Sequence, residues 1–144
     1  MEALLGALNR KMKVLLARLR DAHGGELIEQ PRAGVLCIPK PNGLVIEVTV
    51  PYGVLEWFVD AKDDSGMIWS EWANYYPIHG EKKEQLVTEM MCDVERFVTI
   101  LAKPEIRVSG DKGQSQRIVE LKVGGSWKGA CLDWMTAGPD SVQT

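Results

Sequence analysis

The spacing of apolar residues changes along this 144-residue chain, and these changes limit what it can fold into. In residues 2–22 and again in 81–102, apolar residues recur every three or four positions, which predicts two amphipathic helices. In residues 34–76 they alternate with polar residues, as in half-buried strands. The sequence therefore predicts an α+β fold in which two long helices flank a run of strands.

Turn residues divide the alternating segment into short strands. Pro-Asn-Gly at 41–43 and Asp-Ser-Gly at 64–66 are typical of tight turns between antiparallel strands. These turns predict a four-stranded antiparallel meander, and two or three more strands are predicted after the second helix. The predicted strands span residues 35–38, 44–50, 54–62, 67–72, 106–108, 117–123 and 127–134.

Length and composition predict one domain. A chain of 144 residues that is 45% hydrophobic and 26% charged can bury a core without disulfides or metals. We expect the domain to span residues 1–135 and the small, polar residues 136–144 to form a flexible tail. Cys37, Cys92 and Cys131 each lie in an apolar run, which indicates buried free thiols and a cytoplasmic location. No run approaches the roughly 18 apolar residues of a membrane span, and no export signal is recognisable.

Charge is distributed unevenly. The net charge is −3, but residues 2–23 hold five basic and two acidic side chains, and residues 44–102 hold eleven acidic and four basic ones. An acidic middle disfavours nucleic acid as the main partner, because phosphate binding needs a basic surface. A protein with a basic surface suits this field better.

Candidate catalytic and metal-binding residues are few. His23 follows the first helix, where a cation favours the helix dipole, and His79 lies in a loop between Pro77 and Gly80. A Cys–His dyad requires a thiolate, which apolar surroundings disfavour. The chain lacks zinc-ligand spacing, a phosphate-binding glycine loop and a serine nucleophile elbow. We therefore predict no catalytic residue, no metal site and no cofactor.

The third predicted strand carries aromatic and acidic residues together. Alternation places Trp57 on one side of this strand and Glu56, Phe58 and Asp60 on the other. The Trp57 side is expected to be buried, because the opposite choice would bury two unpaired carboxylates at a cost of several kcal/mol. The exposed side would then form a binding surface, unless the C-terminal strands with Trp127 and Trp134 cover it. The predicted binding surface comprises Glu56, Phe58, Asp60, Trp69, Glu71, Tyr75 and Tyr76.

Leucines and a methionine in the first helix follow spacings of three and four residues. This pattern fits a helix that covers the sheet, and it also fits the seam of a homodimer. The seam residues are Leu5, Leu8, Met12, Leu15 and Leu19.

Three hypotheses about function follow. The preferred one is a non-enzymatic protein-binding module that associates stoichiometrically with a basic partner, as immunity proteins and phage-encoded inhibitors do. The second is an enzyme or small-ligand binder with a pocket between sheet and helices, using His79 or a cysteine. The third is an oligomeric scaffold built on the first helix. The pocket of the second hypothesis would be lined by Trp57, Trp69, Tyr75 and Tyr76.

Overall fold

A computed structural model describes residues 2–76, 80, 82–110 and 117–137. A helix, a five-stranded antiparallel sheet, a second helix and a three-stranded antiparallel sheet follow one another along the chain. The α+β class is therefore confirmed. The elements are α1 Glu2–His23, β1 Glu26–Gln30, β2 Ala33–Pro39, β3 Val45–Pro51, β4 Glu56–Asp63, β5 Gly66–Asn74, α2 Lys83–Ala102, β6 Ile106–Ser109, β7 Ile118–Val123, β8 Ser126–Gly129 and α3 Leu132–Met135.

The first helix ends at a glycine, as the sequence predicts. Gly24 has a φ of 83°, a left-handed conformation that glycine adopts without steric cost, and its backbone N–H donates to the Arg20 carbonyl at 2.8 Å. A second glycine lets α1 approach the sheet. A Cβ added to Gly34 in β2 would lie 3.0 Å from the Leu16 Cδ1 atom, closer than ordinary van der Waals contact.

The large sheet has five strands, in the order β1-β2-β3-β4-β5, so the prediction of four strands is corrected. The additional strand is β1. It pairs with β2 alone among the described residues, and four of its five residues are exposed. Because neither face of β1 is clearly apolar, the sequence carries no alternation that would have predicted it.

Both long helices pack on one face of this sheet. The predicted apolar stripe of α2 is buried, and so are the alternating apolar residues of β3 and β4. Lys40 links sheet and helix, since its Nζ donates to the Leu101 carbonyl at the C-terminus of α2 at 3.0 Å. The buried stripes comprise Leu86, Met90, Val94, Phe97 and Leu101 of α2, Ile46, Val48 and Val50 of β3, and Trp57, Val59 and Ala61 of β4.

The C-terminal strands form a separate sheet in the order β6-β7-β8. The prediction of a strand over residues 127–134 is wrong beyond Gly129, where the chain turns into the short helix α3. Leu121 of β7 and Met135 of α3 are fully buried and belong to the same apolar cluster as the helices and the large sheet. Residues 111–116, between the predicted strands 106–108 and 117–123, and residues 138–144 of the predicted tail lie outside the described residues.

No helix in the described part of the chain is both long and apolar enough to cross a bilayer. The three cysteines are unpaired. Cys37 and Cys131 are half-buried, but Cys92 is exposed, so the prediction of buried thiols is wrong for Cys92. Cys92 lies on α2 outside the buried stripe, because neighbouring residues of a helix point in different directions.

Candidate functional site

The five-stranded sheet has a helix-covered face and an opposite face, here called the outer face. In β4, Trp57 and Val59 are fully buried, whereas the intervening Glu56, Phe58 and Asp60 are only half-buried. Phe58 is not part of the core cluster and does not pack against it. The predicted orientation of this strand is therefore confirmed, and Phe58 lies on the outer face between two carboxylates.

One row of directly paired residues crosses the outer face from edge to edge. Ile28 pairs with Val35, Val35 with Thr49, Thr49 with Phe58, and Phe58 with Trp72. The rings of Phe58 and Trp72 stack with their centroids 6.2 Å apart and an interplanar angle of 12°. Trp72 remains 53% exposed and Ile28 39% exposed. Between them Val35 is buried and Phe58 and Thr49 are half-buried, Thr49 being the one member with a polar group. We call these five residues the apolar row.

The next row toward one end of the strands is acidic. Glu47 forms an ion pair with Lys62, and Asp60 accepts a hydrogen bond from the Ser70 hydroxyl at 2.7 Å. Burial raises the pKa of the Cys37 thiol, and the Glu47 and Glu26 carboxylates beside it raise this pKa further. On the other side of the apolar row, Glu56 pairs with Asn74. The acidic row consists of Glu26, Cys37, Glu47, Asp60 and Ser70.

Trp69 and Glu71 do not belong to the outer face, contrary to the sequence prediction. Their partners in β4 are Ala61 and Val59, which point toward the helices. Glu71 is half-buried but has partners, since its Oε2 accepts from the Trp69 indole N–H and from the Leu132 backbone N–H, each at 2.8 Å. A carboxylate with such donors can lie on the helix side of the sheet, and these donors are not visible in the sequence pattern.

Tyr75 and Tyr76, both predicted to belong to the binding surface, lie in different surroundings. Tyr75 is 8% exposed, and its hydroxyl accepts from the Trp57 indole N–H at 3.0 Å and donates to Asp93 Oδ2 at 2.7 Å. Tyr76 is 59% exposed. Tyr75 is therefore part of the interior, and Tyr76 is exposed just beyond the last residue of β5.

The predicted helical seam is part of the core. Leu8, Met12, Leu15 and Leu19 are 1–3% exposed and pack in the apolar cluster under the sheet, so they are not available to a second copy. The seam as predicted also included Leu5, whose side chain lies outside the described part of the chain.

Phe97 fills the space beside Trp57 and Trp69, whereas Tyr75 lines an open cleft together with Asp93 and Asp133, so the pocket hypothesis stays a prediction. The Phe97 ring lies 5.5 Å from the Trp57 ring and 6.0 Å from the Trp69 ring. His79 lies outside the described residues, and among those described no group of three or more His, Cys, Asp or Glu side chains could hold a metal ion.

The C-terminal tryptophans do not stack on Phe58, whose ring partner is Trp72. Trp134 packs against the core on the helix side of the sheet. Trp127 lies under the Arg107 guanidinium, 4.0 Å from ring centroid to Cζ.

Sequence reasoning missed most of the apolar row. Alternation in β3 separates Glu47 and Thr49 from the apolar Ile46 and Val48, but it does not show which residues of the other strands lie beside them. That information requires the register of the hairpins, together with β1, which the sequence did not predict.

No protein-family model matches this chain, and neither a curated protein nor a solved structure is significantly similar to it.

Proposed function

We propose that this chain is a non-enzymatic protein-binding module that associates stoichiometrically with a protein carrying a basic surface, through its outer face. The observation that carries the proposal is the apolar row, which crosses all five strands beside a parallel acidic row. An apolar patch edged by charge is the usual composition of a protein interface.

The apolar row supplies suitable anchors. Aromatic residues contribute most often to binding energy, and they do so when the partner seals them from water. Trp72 is half-exposed and stacks on the Phe58 ring of the neighbouring strand, a contact that restricts its ring before binding. Little side-chain entropy would be lost on association, which favours slow dissociation.

The charges favour a basic partner. The acidic row contains three carboxylates, those of Glu26, Glu47 and Asp60, and Lys62 is the cation paired with Glu47. A fourth carboxylate, that of Glu56, lies on the other side of the apolar row. The basic residues of α1 lie in the helical layer on the opposite side of the sheet; Arg10, Lys11 and Arg18 line a groove there with Val14 and Met91. This separation of charge would orient a basic partner toward the outer face during encounter.

Matched variants test the proposal. The chain would be immobilised and used to capture proteins from its native host, with Trp72→Ser and Asp60→Lys as outer-face variants. Val14→Ser and Asp21→Lys are the controls, because both residues are exposed on α1. We expect one basic protein to bind the wild type and both controls in a 1:1 complex, and to bind each outer-face variant at least about tenfold more weakly.

Salt provides a second measurement on the same complex. The association rate should fall as ionic strength rises, and it should fall less steeply for Asp60→Lys. A partner that binds Trp72→Ser and Asp60→Lys as tightly as the wild type would contradict the proposal, and so would a partner with an acidic surface.

The proposed biological class is a cytoplasmic inhibitor of the immunity-protein or phage-inhibitor type, which acts by occupying its partner. Such a protein should abolish the activity of the captured partner at one equivalent. A partner that stays fully active in the saturated complex would contradict this class while leaving the binding face itself supported.

A further inference from the structure

The first strand of the large sheet has a free edge. Among the described residues β1 pairs only with β2, and Glu26, Ile28, Glu29 and Gln30 are exposed. An unpaired strand edge presents a row of N–H and C=O groups that can pair with another strand. The edge is continuous with the outer face, because Ile28 is the terminal residue of the apolar row.

The sequence of β1 is suited to pairing with itself. Two β1 strands can pair antiparallel about a two-fold axis that keeps both outer faces on the same side of the joined sheet. In such a pair, even-numbered residues lie opposite even-numbered residues and odd-numbered residues lie opposite odd-numbered ones. Centred on Ile28, this arrangement places Ile28 opposite Ile28, Glu26 opposite Gln30, and Leu27 opposite Glu29. All five residues are paired, and no carboxylate lies directly opposite another.

The neighbouring symmetric registers are worse. Centring on Leu27 leaves only three residues of each β1 paired and places Glu26 opposite Ile28. Centring on Glu29 places the two Glu29 carboxylates directly opposite each other, which is destabilising. Glu29 is also held in place, because its Oε2 accepts from the Tyr52 hydroxyl at 2.5 Å.

We propose that two copies of this chain associate through antiparallel pairing of their β1 strands centred on Ile28. The two large sheets become one sheet of ten strands, and the two apolar rows join at the paired Ile28 side chains. This association is independent of the proposed partner protein, but it would present two outer faces on the same side of one surface.

The oligomeric state of the purified full chain tests the proposal. Sedimentation equilibrium across a wide concentration range should show a monomer–dimer equilibrium. Ile28→Lys should raise the dissociation constant at least about tenfold, because two ammonium groups would lie directly opposite each other at the centre of the pair. The matched control is Val54→Lys, since Val54 is 40% exposed and lies in the connection between β3 and β4 rather than in β1.

Cross-linking tests the register without relying on a destabilised variant. In a background with Cys37, Cys92 and Cys131 replaced by serine, Ile28→Cys should give a disulfide-linked dimer on mild oxidation. Directly opposed residues of antiparallel strands have Cα atoms about 4.5–5.5 Å apart, within the range of a disulfide. Val54→Cys in the same background should remain mainly monomeric.

Two results would overturn the proposal. One is a chain that is monomeric at every accessible concentration. The other is a dimer that neither weakens in Ile28→Lys nor cross-links through Ile28→Cys. Far-UV circular dichroism of each variant checks that β1 and the rest of the fold are retained.

Discussion

Tyr75 connects the interior of the protein to its polar surface. Its hydroxyl accepts from Trp57, which is fully buried, and donates to Asp93. Burial, together with the Asp93 carboxylate, raises the pKa of the Tyr75 hydroxyl well above its usual range, and burial also raises the pKa of Asp93. The hydroxyl therefore stays protonated and serves as acceptor and donor at once.

Removing this hydroxyl should destabilise the fold. Tyr75→Phe leaves the buried Trp57 indole N–H without its acceptor, and an unsatisfied buried donor costs about 1–3 kcal/mol. Urea unfolding monitored by fluorescence measures the loss. The control is Tyr76→Phe, which removes the same atom from a side chain that is 59% exposed and should change stability by less than about 0.5 kcal/mol. Equal losses of stability in Tyr75→Phe and Tyr76→Phe would contradict a stabilising role for the Tyr75 hydroxyl.

Residue-level reasoning from the sequence succeeded for β4. Alternation divides this strand into two sides, and the cost of burying the unpaired Glu56 and Asp60 carboxylates placed them, together with Phe58, on the outer face. Sequence reasoning misplaced Glu71 and Tyr75, since both are polar residues satisfied by specific donors and acceptors. Asp93, which accepts from Tyr75, and Leu132, which donates to Glu71, lie 18 and 61 residues away along the chain, and a sequence pattern does not contain such contacts.

At the scale of elements, a helix or strand can be predicted from the sequence when it buries one face and exposes the other. The helices α1 and α2 and the strand β3 each bury one face, so their periodicity is visible in the sequence. The strand β1 is exposed over most of its length, and α3 is a single turn of four residues. Neither of the last two has enough periodic residues to reveal its type, which is why both were missed.

The one-sided character of α1 can be tested directly. Leu16 is fully buried, and it contacts the sheet where Gly34 leaves room for it. Leu16→Ala should cost about 2–5 kcal/mol, because the closely approached strand cannot move in to fill the cavity. Val14→Ala, on the exposed side of the same helix, should change stability by less than about 0.5 kcal/mol. Chemical denaturation of both variants gives the comparison, and a Leu16→Ala loss below that of Val14→Ala would contradict the assignment of α1 to the core.

At the scale of the whole molecule, side-chain contacts join the two sheets. Arg117, which precedes β7, donates through Nη2 to Asp63 Oδ2 and through Nη1 to the Ser65 hydroxyl, each at 2.5 Å. Asp63 is the last residue of β4, and Ser65 lies in the turn between β4 and β5. A second link is made by Glu71 of β5, which accepts from the Leu132 backbone N–H at the start of α3.

The ion pair between the sheets predicts a specific dependence of stability on pH. Hydrogen bonds from Arg117 and Ser65 hold the pKa of Asp63 well below its usual range, so the folded state prefers the carboxylate more strongly than the unfolded chain does. The stabilisation is therefore complete above the unfolded pKa of about 3.9 and is lost as the pH falls below it. The free energy of unfolding of the wild type should exceed that of Asp63→Asn by a constant amount between about pH 5 and 7, and the difference should shrink as the pH is lowered from about 4 to 2.

Two further variants separate this ion pair from a general effect of charge. Arg117→Gln removes the other partner and should show the same loss of stability near neutral pH. Asp21→Asn removes an equal charge from α1, where the side chain is 71% exposed, and should have little effect at any pH. Because Arg117 directly precedes β7 and Asp63 ends β4, their pairing contributes to holding the C-terminal sheet against the β4–β5 hairpin. A difference between wild type and Asp63→Asn that stayed constant down to pH 2 would show that the Asp63 carboxylate does not stabilise this contact through its charge.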